Sequence, residues 1–262
     1  MIGLLPQSRK REGACGTIAC IVPLNKVAGP MKAISVVVAL LLSLSASAAE
    51  TRPVVVELFT SQGCSSCPPA DKLLGELAKR RDVIALGFHI TYWDGAAWRD
   101  PFSHPASTER QTAYDKRLTG GQIYTPQMVI DGTVDAIGSD RDAVLAAIGA
   151  ARPVAAAQVT FAADRRSVVI GTGSASAGAK VQLARYALSR TTLVAGGENA
   201  DRTALDNNAV EALETLGTWD GKPVSFPIVP PGENEGLAVL VQAPDGTMLG
   251  AAAISNNGNI GI

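Results

Sequence analysis

Apolar and polar residues in the first part of the chain follow the period of a strand, then of a helix, then of a strand again. Residues 53–59 (PVVVELF) form a short β-branched run that is typical of a buried strand. Residues 69–81 place their leucines on one face at helical spacing, with most charges on the other face. Residues 82–90 (DVIALGFHI) predict a second buried strand. Because the connections are short, the three elements predict a right-handed parallel unit.

A longer segment then leads to a hairpin. Residues 91–124 are rich in aromatic side chains, and their latter part, 105–118, is predicted to be helical up to a Gly-Gly pair. In residues 123–138 (IYTPQMVIDGTVDAIG), two apolar runs flank an Asp-Gly turn signal, which predicts a β-hairpin. An acidic, capped first turn opens another predicted helix over residues 139–150.

The pattern changes near residue 152, where helical spacing gives way to short apolar runs. Strand-like runs occupy residues 155–163, 167–175, 180–189, 223–229, 236–243 and 247–254. They predict a small antiparallel β-rich domain over 153–255, after a first domain over 51–151 and before a loose tail at 256–262. The polar cluster of Glu198, Asn199 and Arg202 is interpreted as an ordinary solvated loop.

The beginning of the chain has the pattern of a targeting segment. Met31 and Lys32 precede an uncharged Val/Leu-rich run that ends in Ala-Ser-Ala, which predicts a signal peptide over 31–48, cleaved after Ala48. The alternative is an uncleaved membrane anchor, but the apolar run is short for a span. Residues 1–30 show no periodicity and are interpreted as a mis-assigned, disordered extension. The prediction is therefore a periplasmic or secreted protein without a stable membrane span after cleavage.

Composition and charge narrow the classes of partner. A hydrophobic fraction of 47% is enough for a real core, and a formal net charge of −1 gives no reason to expect nucleic acid or an anionic membrane surface as partner. After removal of the first 48 residues, Cys64 and Cys67 would be the only cysteines. A bond between them closes a very small loop, which restricts the unfolded chain little, so a passive structural disulfide is the weakest of the readings.

The sequence Cys64-Ser-Ser-Cys67 stands between a predicted strand and a predicted helix, which is a setting for redox chemistry. Unpaired amides and the positive end of the helix dipole favour a thiolate there. Cys64 would attack and Cys67 would resolve the mixed disulfide. The same thiols can bind a soft metal instead, so a copper site remains an alternative. Its candidate ligands are Cys64, Cys67, His89 and Met128.

The order strand, Cys-x-x-Cys, helix, strand, insertion, Thr-Pro, hairpin and helix resembles the thioredoxin fold. The resemblance implies an α/β thioredoxin-like domain with a helical and aromatic insertion, followed by the small antiparallel β-rich domain. It implies that Pro126 is a cis-proline facing the cysteine pair and that Thr125 presents its backbone to an extended substrate. It also puts Glu57 near the place of a buried acid that moves protons for the resolving thiol; a paired structural acid is the alternative.

More narrowly, the stretches VELFTSQGCSSCPPAD, YWD and YTPQMVIDG are similar to a bacterial secreted thioredoxin-like family of unknown function. The chain departs from thioredoxin in having Gly63 before the first cysteine, where thioredoxin has tryptophan, and two serines between the cysteines. Tyr92 and Trp93 either line a substrate groove or fill a small core under the insertion.

The function expected from the sequence is an exported thiol–disulfide oxidoreductase that acts on protein or peptide thiols. It would need no bound cofactor, but a redox partner protein must reset it. The alternatives are a periplasmic copper-binding or copper-delivery protein and a non-catalytic binding module.

Overall fold

The computed structural model describes residues 51–174 and 178–256. These residues belong to one compact unit. The predicted extension at 1–30, the predicted signal peptide at 31–48 and all but the first residue of the predicted tail lie outside the described residues. Within the described part of the chain, no helix is long and apolar enough to cross a membrane.

Strands dominate the described residues, and three helices fall in the first half of them. The elements in chain order are β1 (Val54–Thr60), α1 (Pro68–Leu77), β2 (Val83–His89), α2 (Pro105–Leu118), β3 (Gln127–Ile130), β4 (Val134–Ile137), α3 (Arg141–Ala150), β5 (Val159–Phe161), β6 (Ser167–Ile170), β7 (Ala179–Leu193), β8 (Thr203–Trp219), β9 (Val224–Pro227), β10 (Glu235–Gln242) and β11 (Met248–Ser255). A 3-10 turn, Gly197–Asn199, lies between β7 and β8.

Most strands belong to one eight-stranded mixed sheet, in the order β11-β10-β7-β8-β2-β1-β3-β4. β1 and β2 run parallel, as the sequence predicts, and β2 also runs parallel to β8. The other neighbouring strands of this sheet are antiparallel. A separate antiparallel sheet has the order β5-β6-β9.

The predicted fold class is wrong. The chain is not an α/β thioredoxin-like domain with an insertion, followed by a small antiparallel β-rich domain; strands from both halves of the chain join one large mixed sheet, with only three short helices among the described residues. β8 makes the difference, because it links β7 to β2 across the predicted boundary near residue 152. Gly87 of β2 permits this approach, since a Cβ there would lie 3.3 Å from the carbonyl oxygen of Asn207.

Alternation along β1 sends its side chains into two different clusters, one on each face of the sheet. Val55 and Phe59 join a cluster with side chains of α2, β7, β10 and β11. Val56 and Leu58 join a second cluster with α1 and α3. A third cluster, which includes Trp219, lies between the two sheets. The first cluster is therefore shared between the two halves of the chain.

Several local predictions are confirmed. The predicted helix at 105–118 is α2, and the side chain of His104 caps it by accepting a hydrogen bond from the Ala106 amide (3.1 Å). The Asp-Gly turn joins β3 to β4, with positive φ at Asp131 (49°) and Gly132 (73°). Asp140 caps α3 through the amide of Ala143.

Candidate functional site

The loop between β1 and α1, residues 61–67, holds the two cysteines. Cys64 and Cys67 form a disulfide with their Cα atoms 5.4 Å apart. Cys67 is the N-cap of α1, and its carbonyl oxygen accepts hydrogen bonds from the amides of Ala70 and Asp71. The proline pair after Cys67 suits the first turn, where amides have no partner inside the helix. The disulfide therefore lies at the positive end of the α1 dipole.

Thr125 and Trp93 lie on one side of the disulfide. The Thr125–Pro126 bond is cis, as the sequence predicts. The Thr125 hydroxyl donates to Cys64 Sγ at 3.5 Å and accepts from Trp93 Nε1 at 2.8 Å. Since the oxygen accepts from the indole, its own hydrogen is available for the sulfur. Ser66 Oγ adds a second hydroxyl at 3.3 Å from Cys64 Sγ.

Both cysteines are fully buried, although Ser65, Ser66 and Trp93 near them are exposed. Trp93 is 38% exposed and Tyr92 is 41% exposed, so this pair forms an open aromatic surface beside the loop. Gly63 lets the aromatic segment lie close, because a Cβ there would be 3.4 Å from the carbonyl oxygen of Trp93. Because Cys64 is fully buried, an incoming thiol reaches its Sγ only when some of these neighbouring side chains move.

The 3-10 turn Gly197–Asn199, named here the clamp turn, contacts the other side of the loop. Asn199 Nδ2 donates to the carbonyl oxygens of Gln62 (3.0 Å) and Cys64 (2.8 Å). Glu198 Oε2 accepts from the amide of Ser65 at 3.2 Å. Sequence reasoning missed these residues because a polar loop carries no periodic signal that would tell a contact from solvent.

A buried histidine and two buried aspartates lie beneath the loop. His89 Nδ1 is 2.7 Å from Asp100 Oδ2, and His89 Nε2 is 3.8 Å from Asp206 Oδ1. Gln62 joins both acids, since its backbone amide donates to Asp100 (2.8 Å) and its side chain donates to Asp206 (2.7 Å). Burial alone would lower the pKa of His89, but the hydrogen bond and charge of Asp100, aided by Asp206, raise it to about 9. The imidazole is therefore cationic at neutral pH.

Asp71 adds a further acid in the first turn of α1. The hydroxyl of Thr60 donates to its carboxylate at 2.8 Å. Burial raises the pKa of Asp71 to about 7, against the opposing charge of His89. This carboxyl therefore changes its protonation state near neutral pH, one helical turn after Cys67.

Glu57 is fully buried. Alternation along β1 puts its side chain on the same sheet face as those of Val55 and Phe59, opposite α1. Arg110 binds it through two nitrogens, and the Tyr114 hydroxyl donates to Glu57 Oε1 at 2.6 Å. These contacts match the alternative interpretation of Glu57 as a paired structural acid. Its role as a proton carrier for Cys67 stays a prediction that none of its contacts supports.

Two of the four candidate copper ligands contact other groups of the protein. Met128 is buried among apolar side chains under α1, and both ring nitrogens of His89 face aspartates. Among the described residues, no group of three or more histidine, cysteine, aspartate or glutamate side chains has a metal-binding arrangement.

A cavity of about 520 Å³ opens beside the loop, between α1 and the beginning of β8. Gln62, Asp71 and Asn199 line it together with the exposed side chains of Lys72 and Leu205. Because Ser61 and Gln62 line it, the cavity gives solvent access to the beginning of the loop.

One of the comparisons with known proteins gives a family, and none gives an activity. A family model described as a protein of unknown function, DUF1223, matches residues 55–242. The X-ray structure of a protein from Agrobacterium tumefaciens is 30% identical, with a TM-score of 0.68 over 80% of this chain and 96% of that chain. HBP35 of Porphyromonas gingivalis, 16% identical with a TM-score of 0.51, covers 79% of this chain and 76% of its own length and is similar in fold alone. No curated protein matches the chain.

Proposed function

Since the chain belongs to the DUF1223 family, whose function is unknown, we propose its function from the site itself: an exported thiol–disulfide oxidoreductase that acts on protein or peptide thiols through Cys64 and Cys67. The observation that carries the proposal is the hydroxyl of Thr125, which donates to Cys64 Sγ while the disulfide lies at the N-terminus of α1. A passive staple needs neither a hydrogen-bond donor on its sulfur nor a helix dipole. Both features stabilise a thiolate.

The reaction is a reversible exchange of two electrons and two protons. In one direction the Cys64 thiolate attacks a substrate disulfide, which forms a mixed disulfide and releases one substrate thiolate that takes a proton. Cys67, having lost its proton to solvent, then attacks Cys64 Sγ, and the second substrate sulfur leaves. The substrate is reduced and the Cys64–Cys67 disulfide is restored. In the other direction the same steps oxidise a substrate dithiol, and a second thiol–disulfide protein resets the couple.

The surroundings of the disulfide have distinct roles in this proposal. Thr125 and Pro126 contact an extended substrate and orient it toward Cys64, and the Thr125 hydroxyl stabilises the sulfur anion. The half-exposed rings of Tyr92 and Trp93 provide an apolar docking surface. Because Cys64 is fully buried in the oxidised form, substrate binding must displace part of the Trp93–Thr125 contact.

The proposed location is the periplasm or the exterior of the cell. The signal-like pattern at 31–48 supports export, and the Cys64–Cys67 disulfide fits an oxidising compartment. No resident cofactor is part of the proposal.

Trapping the mixed disulfide tests this function. In the reduced protein, Cys67→Ser removes the resolving thiol, so a peptide containing one disulfide should stay linked to Cys64 and be detected by mass spectrometry. Cys64→Ser is the matched control, and we expect at least about tenfold less adduct because the Thr125 hydroxyl donates to Cys64 Sγ and would stabilise that thiolate. The wild-type couple should also equilibrate reversibly with a glutathione buffer.

Two results would overturn the proposal. Equal or negligible trapping in both variants, together with a couple that does not equilibrate with glutathione, would leave a passive disulfide. Stoichiometric copper that blocks alkylation of the reduced protein would favour the metal-binding alternative.

A further inference from the structure

The clamp turn brings a carboxylate to the short segment between the two cysteines. The Ser65 amide is the first donor after Cys64, and Glu198 Oε2 accepts its hydrogen bond at 3.2 Å. Glu198 itself is exposed, and among the described contacts no cation pairs with it. Arg202, the cation of the same connection, donates to Asn199 instead.

The position of this carboxylate is fixed by its buried neighbour. Asn199 is 4% exposed, and its side-chain nitrogen donates to the loop carbonyls of Gln62 and Cys64 while its oxygen accepts from Arg202. Both N–H groups and the oxygen of the Asn199 side-chain amide therefore have partners, and two of these partners are carbonyl oxygens of the cysteine loop. Because Asn199 is anchored in this way, the preceding residue Glu198 is held at the segment between the two cysteines.

We propose that Glu198 is a positioning residue that sets the redox balance of the Cys64–Cys67 couple by disfavouring the thiolate of Cys64. The inference rests on the proposed function for its biological meaning. A second negative charge forms at Cys64, one residue from the amide that binds Glu198, only when the disulfide is reduced, so repulsion acts on the reduced form alone. The Ser65 amide, once bonded to a carboxylate, is also unavailable to the sulfur anion.

The direction of the effect follows from which form is charged. A couple whose reduced form is stabilised by a low-pKa thiolate is a strong oxidant. Glu198 opposes that stabilisation, so it makes the disulfide form more stable and the couple a weaker oxidant. The dipole of α1 and the hydroxyl of Thr125 have the opposite effect, because both favour the thiolate of Cys64.

A charge series at one position tests the inference. Glu198→Gln removes the charge and keeps an amide oxygen that can accept from Ser65, whereas Glu198→Lys reverses the charge. At fixed pH we expect the thiolate fraction of Cys64, measured by the rate of alkylation in the Cys67→Ser background, to rise about threefold for Gln and further for Lys. In wild-type background, the equilibrium with glutathione should move toward the reduced protein in the same order. Raising ionic strength from about 0.01 M to 1 M should shrink both differences.

Two control variants separate charge from loop geometry. Asp201→Asn removes an equal charge from the same connection, at a left-handed residue (φ 64°) where asparagine is tolerated, and should change the equilibrium far less than Glu198→Gln. Asn199→Ala in the Glu198→Gln background loosens the loop where no carboxylate is left to displace, so its effect should not depend on salt.

The inference is overturned if Glu198→Gln and Glu198→Lys leave the equilibrium at the wild-type value, or shift it equally and independently of salt. Both measurements, the redox equilibrium and the alkylation rate, use only glutathione and a small alkylating reagent. They therefore stand even if the peptide-trapping experiment fails, and the two proposals can fail separately.

Discussion

His89 is a buried cation whose partners also hold the cysteine loop. Asp100 accepts hydrogen bonds from His89 and from the backbone amides of Gln62 and Phe102, and these bonds, with the charge of His89, outweigh burial and lower its pKa. The folded state therefore favours the pair of a charged imidazole and a charged carboxylate. Losing the charge on His89 leaves Asp100 and Asp206 buried without their cation.

The free energy of unfolding should consequently decrease at high pH, where His89 loses its charge. Its pKa is raised from 6.5 to about 9, so its stabilising contribution is fully present below about pH 6.5 and is lost as the pH rises through 9. We expect His89→Gln to lower the free energy of unfolding in urea by about 3 kcal/mol at pH 6, and the difference from wild type to shrink by pH 9.5. The free energies come from urea denaturation at several pH values.

His104→Asn provides the matched control. The side chain of His104 caps α2 from an exposed position, and asparagine is an equally good cap, so little change is expected at any pH. A loss in His89→Gln that stays constant from pH 6 to pH 9.5 would contradict the assigned role of the imidazole charge.

Some of the site residues predicted from the sequence lie together in the structure, and others contact different groups. Thr125, Trp93 and the cysteines do lie together, because the segments after β1 and β2 and the segment before β3 meet at one place. The resemblance proposes Glu57 as a proton carrier and the copper alternative proposes Met128 as a ligand, but Glu57 is bound by Arg110 and Met128 packs in an apolar cluster. No local signal distinguishes a buried acid paired with Arg110 from one that serves a thiol.

At the scale of elements, the connection between β7 and β8 depends on a close backbone contact. A Cβ on Gly196 would lie 2.0 Å from the carbonyl oxygen of Ala97, so only glycine allows the two segments to lie this near. Gly196 immediately precedes the clamp turn. The position of Glu198 and Asn199 at the cysteine loop therefore depends on this contact.

Gly196→Ala should displace the clamp turn. The clash is with backbone, which cannot rotate away, so we expect the free energy of unfolding to fall by about 1–3 kcal/mol. The Ser65 amide should also exchange its hydrogen faster, because it loses the Glu198 carboxylate. Hydrogen exchange monitored by NMR and urea denaturation measure the two effects.

Gly149→Ala in α3 is the control for this substitution. No atom outside its own helical turn lies within 4 Å of its added Cβ, and alanine in a helix should raise stability by about 0.5–1 kcal/mol. A Gly196→Ala variant with wild-type stability and wild-type exchange at Ser65 would show that the close contact does not position the turn.

The whole molecule is built around a core that both halves of the chain share. Phe59 and Phe88 of the first half pack in one cluster with Tyr186 and Leu240 of the second. β2 is hydrogen-bonded to β1 on one side and meets β8 on the other. Removing the second half would expose both the apolar cluster and one edge of β2.

A fragment of residues 51–151 should therefore fail to fold by itself. We expect it to show no cooperative urea transition and little protection of β2 amides from hydrogen exchange, whereas residues 51–256 should unfold cooperatively. Circular dichroism and hydrogen exchange on both chains make the comparison. A fragment that unfolds cooperatively at the midpoint of the longer chain would show that the first half has an independent core.

The sequence by itself determined the elements whose pattern is local: β1, α1, β2, α2 and the hairpin of β3 and β4. It also placed a cysteine pair at a helix N-terminus, because capping and hydrophobic periodicity involve residues only a few positions apart. The tertiary structure decided the rest. β8 has no clean alternation, and its role depends on strands that arrive from elsewhere in the chain. The contacts Glu57–Arg110, Gln62–Asp206 and Cys64–Asn199 join residues 53, 144 and 135 positions apart, and strand register, which no local pattern encodes, brings them together.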